Sequence, residues 1–120
     1  MSAGKLAMVC FEARTAAHIM HLKTRSFATH KALDEFYHEI IEVADAYIEA
    51  YQGVYGLITD YPDADEFEAV TDPIALMTKL RKWLVEYREE CCKDQSELEN
   101  LYDALIDLVD STRYKLRFLS

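Results

Sequence analysis

The chain has 120 residues, enough for one domain (1–120) and too few for a multidomain machine. Lys and Arg number 13 against 22 Asp and Glu, so the formal charge is −9, and no basic tail is present to grip a nucleic-acid backbone. With 51% apolar residues, 3 Gly, 2 Pro and no long unbroken apolar run, the composition excludes disorder, an all-β fold and a membrane span.

In chain order, the first predicted helix covers about residues 3–23. Leu6, Val9, Cys10, Ala13, Ala16, Ala17 and Met20 recur at three- and four-residue steps, which is one helical stripe. Thr24-Arg25-Ser26 breaks it, and Ser26 is placed to cap the second helix, about 27–52. The stripe of that helix is Leu33, Phe36, Tyr37, Ile40, Ala44, Tyr47 and Tyr51, with Gly53 and Gly56 expected to end it. The segment from Leu57 to Thr71 carries Asp60, Asp63, Asp65, Glu66 and Glu68 without a Lys or Arg. It reads as a solvated connection with a short helix over Asp63 to Val70.

Asp72-Pro73 marks the third helix, about 73–93, because a capping Asp precedes a Pro whose missing N–H costs nothing there. Its stripe is Leu76, Leu80, Trp83, Leu84 and Tyr87, fading at Cys91. Ser96-Glu97-Leu98-Glu99 reads as a capping box for the fourth helix, about 97–118. Leu98, Leu101, Tyr102, Leu105, Leu108, Val109, Thr112, Leu116 and Leu119 form the last stripe. Four amphipathic helices with mostly short connections predict an all-α protein, an antiparallel four-helix bundle. The N-terminus is not followed by a continuous apolar stretch, so no secretory signal is expected, and three Cys with two adjacent make no disulfide framework. A cytoplasmic setting is therefore expected.

All four His lie between residues 18 and 38. His30 with Asp34, and Asp45 with Glu49, are spaced i,i+4, which puts each pair on one helical face. At about 100° per residue, Asp34, Asp45 and Glu49 fall within roughly a third of a turn of His30. His18 precedes the first turn and His30 follows it, so a hairpin is expected to bring the two imidazoles together. Two His with excess carboxylates suit iron, with zinc or manganese as substitutes. His30 and Asp45 are 15 residues apart, roughly 22 Å along a helix, so one metal cannot touch both in one chain. Two antiparallel copies of the second helix, crossing near residue 40, would meet that requirement, which implies a homo-oligomer with a twofold, inter-subunit site. His21 is read as flanking the turn, His38 as an interface contact, Tyr37 as a core or interface aromatic, and Cys91-Cys92 as a pair of helix-end thiols.

The run His18, His30, Asp34, Asp45, Glu49 has steps of 12, 4, 11 and 4. It resembles the ferroxidase signature of the Dps proteins (DNA-binding proteins from starved cells), small members of the ferritin superfamily. The text from His30 to Tyr37 resembles the start of that family's second helix, and Tyr114 to Leu119 its closing helix. The resemblance implies a ferritin-like bundle that binds Fe(II), a di-iron pair included, and oxidises it with peroxide or oxygen. It implies that His18 and His30 come from one subunit and Asp45 and Glu49 from its mate. Asp34 would then serve a second iron or tune His30. It further implies assembly as a dimer at least, up to a dodecameric shell. Ile19 and Met20 stand where the family has Trp and Asn, and the family's basic tail is missing, so DNA binding is not expected. The alternative is a non-enzymatic acidic helical-bundle interaction or assembly protein, with an idle or structural metal site.

Overall fold

The computed structural model describes residues 2–119. It holds four helices: α1 (Ala3–Lys23), α2 (Phe27–Tyr55), α3 (Pro73–Cys92) and α4 (Ser96–Phe118). Local chemistry sets most of their starts. The Ser2, Ser26 and Asp72 side chains accept hydrogen bonds from the backbone N–H groups of Lys5, Thr29 and Ala75, which satisfies a donor at each N-terminus. Pro73 follows Asp72 at the first helical positions.

Several expectations are corrected. First, α2 runs on through Gly53 and ends only at Gly56, whose φ of 94° is the glycine-favouring conformation that stops it. Second, the capping box at Ser96 does not form. α4 begins one residue early, with Gln95 as a cap that lends no side chain, and the Glu99 carboxylate lies 3.5 Å from Arg88 Nη1. Third, residues 63–70 form bends and a turn closed by Val70 N–H on the Phe67 carbonyl, not a helix. The reason lies on α1. Glu12 accepts from the N–H groups of Glu66 and Phe67, and Lys5 donates to the carbonyls of Asp63 and Ala64. These side chains satisfy the backbone polarity that helix bonds would otherwise satisfy. Leu119, expected in the last stripe, follows the end of α4 and is exposed.

The same contacts fix the path of the chain. Residues 57–72 start beside Gly4, pass Lys5 and Glu12, and finish along Ile19 and Lys23. The segment therefore crosses the bundle lengthwise over α1. Its Ala64 and Phe67 side chains are buried as anchors. α3 consequently starts at the end where α2 starts and runs parallel to it. The two sit on one diagonal, each packed mainly against α1 and α4. Every adjacent pair is antiparallel. Lys115 near the end of α4 meets Glu35 near the start of α2 at 2.7 Å. The result is a rod with principal extents of 44 × 25 × 21 Å.

The core is apolar, with Leu6, Leu33, Phe36, Ile40, Leu80, Leu84 and Leu105 fully buried. Two tyrosines carry their hydroxyls into it. Tyr47 donates to the Cys91 carbonyl at 2.7 Å, and Tyr102 to the Leu84 carbonyl at 2.6 Å. Cys91 is among the last residues of α3, where carbonyls lack a helical partner, whereas Leu84 lies in the helix interior. Tyr47→Phe is therefore expected to cost about 1–3 kcal/mol, because it orphans a buried carbonyl. Tyr102→Phe should cost about 0.5–1.5 kcal/mol, since Leu84 keeps its helix bond. Urea unfolding of the two variants side by side checks the order.

Candidate functional site

Thr24, Arg25 and Ser26 turn α1 back along α2, and all four imidazoles gather beside this hairpin. The arrangement differs from the expected one. His30 stacks on His21, with ring centroids 3.6 Å apart and planes 19° from parallel. His18 stacks instead on Tyr37, at 4.2 Å and 10°. Tyr37 also meets the edge of His21 at 5.2 Å and stacks on His38 at 4.4 Å. Successive turns of both helices thus interleave imidazoles with one phenol.

Two hydrogen bonds lock the stacked pair. His21 Nδ1 donates to the His30 carbonyl at 2.7 Å, and His30 Nδ1 donates to the His21 carbonyl at 2.8 Å. A carbonyl only accepts, so each Nδ1 carries a proton, and in the neutral ring the lone pair lies on Nε2. The His21 carbonyl lies in the last turn of α1, so the His30 ring caps a group that the helix leaves unpaired. His21 is buried, and together with Thr112 it makes up the buried polar or charged set among the described residues.

The Asp34 carboxylate lies beside His38 and Tyr37, and the His30 Nδ1 bond goes to the His21 carbonyl. His38 Nδ1 donates to the Asp34 carbonyl at 2.8 Å and lies 3.4 Å from its carboxylate. Burial, together with a hydrogen bond to Asp34, raises the Tyr37 hydroxyl above the usual phenol range. Asp45 and Glu49 are exposed on α2, on the flank that also carries His38. Neither carboxylate has an ion pair or hydrogen bond among the described residues. His30 and Asp45 are separated by 15 helical residues, roughly 22 Å. Among the described residues of one chain, no group of three or more His, Cys, Asp or Glu side chains is arranged to hold a metal ion.

The bundle interior is excluded as a carboxylate site, because no described Asp or Glu is buried. Its thiols are inert. Burial pushes Cys10 and Cys92 up to about 12 and Cys91 up to about 11, so all three stay protonated near neutral pH. Among the described residues, no helix is long and apolar enough to cross a membrane.

The sequence places His21 beside the turn and Tyr37 as a core or interface aromatic, but not their stacking on His30 and His18. A signal existed in each case. His21 lies three residues after His18, on the same face of α1, and Tyr37 lies seven after His30, two turns along α2. Neither curated proteins nor solved structures yield a match to the chain. One family covers residues 21–116, from the stacked His21 to Leu116 in the last turns of α4, and the chain belongs to it: the family of unknown function DUF5856.

Proposed function

We propose that the protein is a Dps-like member of the ferritin superfamily that binds Fe(II) between two copies and oxidises it. The observation that carries this reading is the state of His30. Its Nδ1–H is held by a backbone carbonyl, which orients the ring and leaves Nε2 as a ligand. A mate whose α2 crosses antiparallel near residue 40 supplies Asp45 and Glu49 to the His30 and Asp34 region of the first chain. His18 adds a second nitrogen from the neighbouring turn of α1. The single lengthwise crossover, with α2 and α3 on a diagonal, agrees with the connectivity of ferritin-like bundles. Iron is the substrate here. Two Fe(II) ions each give one electron to a peroxide molecule, which takes two protons and leaves as two waters. The protein's own residues bind the ions, keep a position open for the oxidant, and hold the ligands in orientation.

The test is an anaerobic Fe(II) titration followed by peroxide, with the Asp45→Ala, Glu49→Ala double variant alongside. Saturation near one or two irons per chain is expected for wild type. Losing only a group that hydrogen-bonds a metal ligand costs about 10–100-fold in metal affinity, so loss of both carboxylates should cost at least that. Iron should also shift sedimentation from monomer towards dimer, because binding and association are linked. No binding above buffer, or a double variant equal to wild type, overturns the reading.

A second reading is favoured by the reciprocal His21–His30 lock, which gives both imidazoles a structural task that needs no metal. The bundle would then be an acidic assembly protein, and unchanged stability of the double variant with no iron response would select it.

A further inference from the structure

The two ends of the rod carry opposite charge, and both expose apolar side chains. The hairpin end holds the α1–α2 turn and the last turns of α4. Leu22, Phe27 and Phe118 are 69%, 75% and 65% exposed there. Lys23, Arg25, Lys31 and Arg117 surround them, with Lys31 over the Phe27 ring at 5.9 Å and Arg117 over the Phe118 ring at 5.0 Å. Of the carboxylates near this end, Asp34 lies beside His38, Glu68 shares a groove with Lys23, and two more are engaged. Glu35 pairs with Lys115, and Asp72 caps α3.

The opposite end holds the C-terminus of α2, the start of the crossover and the α3–α4 turn. Leu57 is 84% exposed, and Val54, Tyr55 and Tyr61 are exposed by 42–45%. Asp60, Asp63, Asp94 and Glu97 are exposed around them. Among the described side chains, the cations Lys5 and Lys93 at this end are committed. Lys5 donates to the Asp63 and Ala64 carbonyls, and Lys93 donates to the Tyr51 hydroxyl and lies over the Tyr55 ring. One end is thus apolar and basic, the other apolar and acidic, on a chain whose net charge is −9.

We propose that copies of this chain associate head to tail, the basic hairpin end of one seating on the acidic end of the next. Like ends repel, so the contact is heterologous and builds rings or filaments instead of twofold pairs. A surface built for an anionic membrane needs one basic apolar end. It gives no account of the matching acidic one. The cross-section of about 25 × 21 Å limits the contact to about 500 Å² from each partner, against roughly 800 Å² in a free-standing interface. A single contact is therefore weak, and the assembly gains its strength by closing. This contact uses no residue of the Asp45 and Glu49 flank, and it approaches the iron reading only where Phe27 stacks on His30, with ring centroids 6.4 Å apart.

The experiment is sedimentation of the full chain over a wide concentration range, at low and high salt, with Phe27→Asp and Leu57→Lys. Wild type is expected to associate with increasing concentration and to dissociate with salt. Each variant alone should lose about tenfold or more in association, the usual cost of an interface anchor. Mixing the two variants should restore a heterodimer, because the intact hairpin end of one meets the intact acidic end of the other. Circular dichroism of each variant checks that it folds. Variants that assemble like wild type, a mixture that restores nothing, or salt-sensitive binding to phosphatidylserine vesicles without self-association each overturn the proposal. Asp45→Ala separates the two readings, since it should impair iron binding and leave head-to-tail association intact.

Discussion

His30→Ala should lose iron binding and about 1–3 kcal/mol of stability together, because one ring serves two purposes. Its Nδ1–H caps the His21 carbonyl, and its Nε2 is the proposed ligand. Truncation leaves a carbonyl of the last turn of α1 without its partner and removes the ring stacked on buried His21. His30→Asn separates the two effects. The Asn side-chain nitrogen sits where Nδ1 sat and can donate to the same carbonyl, but nothing replaces Nε2. The Asn variant should therefore unfold near the wild-type urea midpoint while failing to bind Fe(II). If Asn binds iron like wild type, His30 is structural only. If Asn is as unstable as Ala, the cap is not what stabilises the hairpin.

Gly4→Ala is expected to pry the crossover from α1. The added methyl would overlap the Asp60 carbonyl oxygen and crowd Ile58 Cγ2 at 3.1 Å. The obstacle is backbone, so no rotamer change relieves it. Residues 57–60 must move, and the Lys5 and Glu12 bonds to the segment weaken with them. A loss at the upper end of about 1–3 kcal/mol, or more, follows. Rapid proteolytic cleavage between residues 57 and 72 should accompany it. Gly53→Ala is the control of opposite sign. It lies inside α2, its methyl meets nothing within 4 Å, and an alanine there should stabilise by roughly 0.5–1 kcal/mol. Thermal unfolding of the two variants tests both signs at once.

Much of the architecture was legible from local patterns. Ser26 and Asp72-Pro73 act on N–H groups three residues away, so their effect needs no distant partner. The apolar stripes mark buried faces because burial on a helix repeats every three or four residues. The failures share a cause. Glu12 and Lys5 lie off the apolar stripe of α1 and carry no local signal, yet they hold the crossover backbone more than 50 residues away. Glu99 read as half of a capping box, but Arg88 lies beside its carboxylate from another helix. His18 and His30 were expected to face each other. The packing of α1 on α2 instead set His21 against His30 and gave Tyr37 to His18.

By itself, the sequence determined four helices, most of their starts, their buried faces and the acidity of the surface. Those depend on hydrogen bonds and periodicities that act within a few residues. It also placed four of the five candidate ligands on one flank of α2, since their spacing is a property of any helix. Only the tertiary structure decided the lengthwise crossover, the diagonal pairing of α2 and α3, and which imidazole meets which. Those depend on how far one helix slides and rotates against another. Close packing of Ala13, Ala17, Leu33 and Phe36 in a common core sets that position, and no local pattern carries it.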